Sequence, residues 1–229
     1  MSNNTFIVAD DHPLFRDALS HAIGNCVAGA AIVEADSLDS LQKVVDANPD
    51  ADLLLLDLNM PGVSGFSALA YIRNNHESLP TVIVSANDDP VVIRRSIRHG
   101  ASGFIPKSSS ITELEDGIKA VLEGEVWVPA DVDLQDECLD DAEAGIAAAL
   151  STLTPQQFKV LMMLGEGLLN KQIAFQLGVS EATIKAHVTA ILRKMNVNNR
   201  TQAVLAVQQL RIGSPVIPEG FSGDVSAAE

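Results

Sequence analysis

Three carboxylates in this chain stand where carboxylates are costly. Asp57 follows the apolar run Leu53-Leu54-Leu55-Leu56, and Asp10-Asp11 follow Phe6-Ile7-Val8-Ala9. Both runs read as buried strands, and like charges held close in a low-dielectric cleft repel unless a cation or a chemical step uses them. Ser85 closes a third apolar run, and Lys107 follows a fourth segment, Ser102 to Pro106. Two or three carboxylates with neighbouring oxygens suit Mg2+, which takes a few carboxylates together with water and phosphate oxygens. One carboxylate can then act as a nucleophile toward phosphorus and form an acyl phosphate. The Lys107 ammonium can pair with the transferred phosphoryl oxygens, and the Ser85 hydroxyl can donate a hydrogen bond to them. Phosphoryl transfer depends mostly on positioning and charge neutralisation, so these few groups suffice.

The elements that must position them alternate in type. Strands are expected at Thr5 to Asp10, Ala31 to Ala35, Asp52 to Asp57, Thr81 to Ala86 and Ser102 to Pro106. Three contain continuous apolar runs without in/out alternation, so both sheet faces must be covered. Helical spacing recurs between them: Leu14, Phe15, Ala18, Leu19; Leu38, Leu41, Val45; Phe66, Leu69, Ala70; Pro90 to His99; and a segment opened by the capping pair Ser110 and Glu113 and stopped at Gly124. This is a doubly wound α/β unit with a five-stranded parallel sheet over residues 1–128. Ligands of such sheets sit at the carboxyl ends of the strands, where Asp10, Asp11, Asp57, Ser85 and Lys107 converge.

A second, smaller all-α unit is expected over residues 151–212. Thr154, Pro155 and Gln157 supply an N-cap, a proline at N1 and a glutamine at N3. Asn170 to Leu177, the turn Gly178-Val179 and a longer helix capped by Ser180 have the dimensions of a helix-turn-helix. Charge separates the units. The chain is −15 overall, yet residues 151–211 carry two acidic and seven basic side chains, and residues 129–150 carry seven acidic and none basic. A basic module on an acidic chain implies an anionic partner for that module. Lys185, Thr189 and Arg193 share one face of the longer helix, with Ala186 as a small neighbour able to enter a major groove. Lys171, Thr183, Lys194 and Arg200 flank it at positions suited to phosphates. Residues 129–150 read as an acidic linker with some helix, its carboxylates expected against that basic face; residues 213–229 read as a disordered tail. The final helix, Thr201 to Leu210, is apolar around much of its girth, which suggests a twofold contact.

The set Asp10-Asp11, Asp57 with Met60-Pro61 and Gly65, Ser85, and Lys107 at the end of Gly100 to Lys107 resembles the receiver domain of two-component response regulators. That resemblance implies a flavodoxin-like fold, Asp57 as phosphoacceptor, Asp10 and Asp11 as the metal-binding pair, and a backbone carbonyl from Asn59. It also implies a hydroxyl switch at Ser85, the site lysine at Lys107 and a rotating aromatic at Phe104, although an aromatic after a strand also suits plain core. Leu153-Thr154-Pro155, Gly167 to Ala174, Val179-Ser180, Thr183-Ile184-Lys185 and Asn199-Arg200-Thr201 resemble the LuxR-type effector domain, with Gln157, Phe158 and Leu169 departing from its usual residues. Together they resemble the NarL/FixJ family. The implied protein is a transcription regulator, not an enzyme, with Mg2+ as cofactor, a sensor histidine kinase and double-stranded DNA as partners, and a homodimer as active form.

Two other readings are weaker. Phosphohydrolases of the haloacid-dehalogenase type also use a strand-end Asp, but need a second Asp two positions on, where this chain has Asn59. An effector switched by a small ligand would need an apolar sensory pocket, whereas the expected cleft is anionic. No apolar stretch approaches the roughly 18 residues a membrane span needs, and the two cysteines form no motif, so a cytoplasmic location without membrane contact is expected.

Overall fold

The computed structural model describes residues 4–63, 65–134 and 141–209; the stretch 135–140 of the linker and the tail from 210 lie outside the described residues. Five strands, β1 (Thr5–Ala9), β2 (Ala31–Ala35), β3 (Leu53–Leu56), β4 (Thr81–Ser85) and β5 (Gly103–Pro106), pair in parallel in the order β2-β1-β3-β4-β5. Helices α1 (Pro13–Cys26), α2 (Leu38–Ala47), α3 (Ser67–Asn75), α4 (Pro90–Arg98) and α5 (Ile111–Leu122) alternate with them. The continuous apolar runs do cover two faces. Ile7, Leu54, Leu56, Ile83 and Phe104 lie in one buried cluster, and Phe6, Val8, Leu53, Leu55, Val82, Val84 and Ile105 in the other. Strand order reverses between β1 and β3, and these two neighbours end immediately before Asp10 and Asp57. The cleft of a doubly wound sheet opens at such a point.

Local signals stop and start the helices as expected. The Ser110 hydroxyl accepts from the Glu113 N–H, and the Glu113 carboxylate accepts from the Ser110 N–H at 2.7 Å. Pro61-Gly62 turns the chain after the site, with Gly62 at φ 78; a Cβ there would stand 3.2 Å from that of Leu38. Only glycine combines that dihedral with so close a neighbour.

The helical unit comprises α6 (Asp141–Ser151), α7 (Pro155–Gly165), α8 (Asn170–Leu177), α9 (Glu181–Lys194) and α10 (Arg200–Gln209). Thr154 forms the expected capping box with Gln157, and Gly178 closes α8 in the left-handed region at φ 65. The linker's helical part is α6, which packs on α3 and on α10. Earlier in the linker, Asp133 lies by α4, where its carbonyl accepts a long contact from Arg94 at 3.5 Å.

The two units share one apolar cluster, in which Leu69 and Tyr71 of α3 join Leu150, Phe158 and Leu161. The Tyr71 and Phe158 rings meet at a centroid distance of 5.0 Å. Lys159 pairs with Asp39, and Arg95 of α4 donates to the Gln209 carbonyl at the end of α10 at 2.9 Å. Burial, helped by the Asp46 charge, pushes the Tyr71 phenol up to about 12, and its hydroxyl is buried without a hydrogen-bond partner. The ring therefore stabilises the contact while the hydroxyl opposes it. Tyr71→Phe is expected to gain about 1 kcal/mol in urea denaturation, and Tyr71→Ala to lose about 3–5 kcal/mol. A loss for Tyr71→Phe would contradict this reading of the contact.

Candidate phosphoryl-acceptor site and nucleic-acid interface

Strand register brings the site residues together. The Asp57 N–H donates to the Ala9 carbonyl at 2.8 Å, extending the β1–β3 ladder by one step and setting Asp57 beside Asp10. The Lys107 N–H donates to the Ser85 carbonyl at 2.7 Å, doing the same for β4 and β5. Asp10, Asp57 and Ser85 are buried. Lys107 Nζ lies between the first two, 2.6 Å from Asp10 Oδ2 and 2.9 Å from Asp57 Oδ2. The Asn59 N–H donates to Asp57 Oδ1 at 3.2 Å, and the Asn87 N–H donates to Ser85 Oγ at 3.2 Å. Phe104 is fully buried on β5, three residues before Lys107, which follows that strand.

Charge and burial compete here. Burial holds the Asp57 carboxyl above its ordinary pKa and the Asp10 charge adds to the rise, while the hydrogen bond and charge of Lys107 act the other way. Burial by itself would lower the Lys107 pKa, but hydrogen bonds to Asp10 and Asp57 and their charges more than reverse this, so its ammonium is held on.

Asp10, Asp11, His12 and Asp57 offer ligand atoms within 4.8 Å of one another. Asp10 Oδ2 faces the Lys107 ammonium at 2.6 Å, and Asp11 Oδ1 lies 2.7 Å from His12 Nδ1. Hard, anionic oxygens of this kind fit a Mg2+ ion, and Asp10, Asp11 and Asp57 supply them.

The sequence pattern places Phe15 on a helix and gives His12 no role. His12 Nδ1 stands 2.7 Å from Asp11 Oδ1, and Lys107 Nζ lies 4.9 Å from the centre of the Phe15 ring. Arg16 also reaches in, donating to the Asp10 carbonyl at 2.7 Å. Their signal was the run His12-Pro13-Leu14-Phe15-Arg16, which starts α1 directly at the site.

In the helical unit, Ser180 caps α9 by accepting from the Thr183 N–H at 3.1 Å. Lys171, Thr183, Lys185, Ala186, Thr189 and Arg193 are exposed. Lys185 forms a solvated i,i+4 pair with Glu181 at 3.1 Å, which a competing phosphate or base could replace. Lys194 and Arg200 are turned inward. Lys194 donates to the Thr152 carbonyl at 2.6 Å and to Gln157 Oε1 at 2.9 Å, and Arg200 donates to the Leu168 carbonyl at 2.6 Å. Both tie helix ends together within the unit. Phe175, unremarked in the sequence, stands 89 % exposed beside Lys171 and Gln172.

Among the described residues no helix is long and apolar enough to cross a membrane. The family model described as "Response regulator receiver domain" matches residues 6–119, and that described as "Bacterial regulatory proteins, luxR family" matches residues 151–207. The glycerol metabolism activator of Pseudomonas putida is 43% identical over 205 residues, covering 87% of this chain and 93% of its own. The nitrate/nitrite response regulator protein NarL of Escherichia coli (strain K12) is 30% identical over 216 residues, covering 93% and 100%. A structure of RcsB from Salmonella enterica serovar Typhimurium, bound to a promoter in the presence of phosphomimetic BeF3-, aligns with TM-score 0.53 at 25% identity, covering 91% of this chain and 98% of that one.

The raised Asp57 carboxyl has a measurable consequence. The folded state holds that proton more tightly than the unfolded chain, so its contribution to stability falls as pH rises from the ordinary carboxylate range through the raised value. In chelator-containing buffer at pH near 7, Asp57→Asn is expected to raise the thermal midpoint by about 2–4 °C, a gain that shrinks toward pH about 4, near the unperturbed Asp pKa. Calorimetry at the two pH values checks this, and a lower midpoint at neutral pH contradicts it.

Proposed function

From the premise that the chain belongs to the NarL/FixJ family of response regulators, we propose that it is a transcription regulator switched by transfer of a phosphoryl group from a sensor histidine kinase to Asp57. The observation that carries this reading is Lys107 held between two buried carboxylates, a cation already in place where an anionic oxygen cluster would arrive. Asp57 Oδ attacks the phosphorus of the phosphohistidine, the bond to the kinase imidazole breaks, and an acyl phosphate remains on Asp57. Asp10, Asp11 and Asp57, with the Asn59 carbonyl, would hold Mg2+, which supplies charge neutralisation to the phosphoryl oxygens. Lys107 gives up its contact with Asp10 for a phosphoryl oxygen. The Ser85 hydroxyl, whose oxygen accepts from Asn87, turns its proton toward another. Phe104 then repacks in the space Ser85 leaves. Leu14, 85 % exposed at the mouth of the site, and the exposed Ile111 are apolar ground for the kinase to dock on.

The contact between units supports a resting state that the phosphoryl group opens. Arg95 holds the α10 carboxyl end and lies over the Phe66 ring at 4.7 Å, with His99 stacked on the same ring at 5.0 Å. A shift of α4 on phosphorylation releases Gln209 and frees α10, whose Leu205 side chain is 53 % exposed, to pair with that of a second chain. The paired α9 helices then read two half-sites of double-stranded DNA. Such a regulator works in the cytoplasm, where its kinase partner and its DNA are found.

Full-length protein with Mg2+ and a small phosphodonor is expected to gain one phosphoryl group by intact mass, and Asp57→Asn none; chelation of the metal abolishes uptake. Equal uptake by the mutant would move the acceptor elsewhere. On DNA, Lys185→Ala is expected to cost about 1–3 kcal/mol and relax sequence preference. Lys171→Ala should weaken binding uniformly and reduce the salt slope by about one. Arg200→Ala should instead lower the thermal midpoint of the helical unit, because its guanidinium holds Leu168. A binding loss for Arg200→Ala at unchanged stability would restore it to the DNA contacts.

A further inference from the structure

We infer that Trp127 is a positioning residue that fastens the chain leaving the receiver domain to β5, so that the linker itself reads the phosphoryl state of Asp57. This rests on the phosphoacceptor reading above and adds the route from the site to the linker.

β5 is the last strand of the sheet, and its outer backbone groups need partners. The residues after α5 supply them. Gly124, at φ 88, ends the helix and sends the chain back alongside β5. Trp127 forms a parallel bridge with Gly103: the Phe104 N–H donates to the Trp127 carbonyl at 2.9 Å, and the Trp127 N–H donates to the Ser102 carbonyl at 3.3 Å.

Two glycines in different elements open the space this residue occupies. A Cβ on Gly103 would stand 3.0 Å from the Trp127 carbonyl oxygen, and one on Gly117 would stand 3.1 Å from Trp127 Cδ2 and 2.8 Å from Ile105 Cδ1. Glycine inside a helix costs about 1 kcal/mol relative to alanine, so Gly117 in mid-α5 is unfavourable except for the ring it seats. The half-buried indole lies against the cluster of Ile105, Leu114 and Ile118. Further along, Val132 is buried and the Asp133 carbonyl meets Arg94 of α4.

β5 therefore runs directly into Lys107, carries Phe104 within it, and has the linker bonded to the Phe104 amide. When Lys107 leaves Asp10 for the phosphoryl group, the strand end moves with it, and the bond at Phe104 passes that movement to Trp127 and onward.

Trp127 is the single tryptophan of the chain, so its emission reports this joint. Full-length protein is treated with Mg2+ and a phosphodonor, uptake is followed by mass, and emission and acrylamide quenching are recorded. The expected result is a shift in both for wild type and none for Asp57→Asn. Gly103→Ala and Gly117→Ala are expected to take up phosphoryl as wild type does, while the phosphorylation-dependent gain in DNA affinity falls several-fold. Alanine favours helix, so helix propensity does not account for a loss of coupling in Gly117→Ala. Gly103→Ala, whose Cβ meets the Trp127 carbonyl and not Ile105, separates the ring's seat from the Ile105 contact. Complete uptake with unchanged Trp127 emission, or wild-type gain in both variants, overturns the inference. Absence of uptake in wild type overturns the phosphoacceptor reading beneath it, and the mass record separates the two failures.

Discussion

One ammonium group between two buried carboxylates sets the terms for the rest of this molecule. Without Lys107, Asp10 and Asp57 would stand side by side, out of water, with like charges and no compensation. With it, two negative charges face one positive charge and a deficit remains. That deficit suits a divalent cation, and the proposed phosphoryl transfer to Asp57 would reorganise it. The strands are organised around the same point: β1 and β3 end at the carboxylates, β4 at Ser85, and β5 just before the lysine.

The lysine is also the end of a lever. It directly follows β5, which carries Phe104 inside the sheet and Trp127 on its outer edge. On the neighbouring face, Phe66 is covered by His99 and Arg95, and Arg95 grips the last turn of α10. In the proposed mechanism two routes leave the site, one through the sheet edge into the linker and one through α4 into the effector domain. The shared cluster around Tyr71 and Phe158 holds the units together while neither route is pulled.

The site could be read from the chain because apolar runs locate strand ends and a polar residue just past such an end has one place to go. Asp10, Asp57, Ser85 and Lys107 are where that logic sets them, and the caps at Ser110, Thr154 and Ser180 follow equally local rules. What escaped has non-local causes. The α3 residues from Ser67 to Ile72 are all buried because a second unit covers the helix, which no periodicity within α3 announces. The bridge at Trp127 involves too few residues to show a strand period. That Lys194 and Arg200 also donate to carbonyls within the helical unit could not be read either, since only the folded unit brings those carbonyls near. Phe175 carries no signal of its outward direction, since an aromatic beside Ile173 and Ala174 reads as core.

The claim on which all else depends is that Lys107 changes partners when Asp57 is phosphorylated. Its side-chain nitrogen resonance, followed by NMR in protein labelled at lysine Nζ, tests this directly. The account predicts that the signal moves on addition of Mg2+ and phosphodonor, in step with phosphoryl uptake, and stays in place in Asp57→Asn. A resonance that does not move while uptake is complete and DNA affinity rises would contradict it.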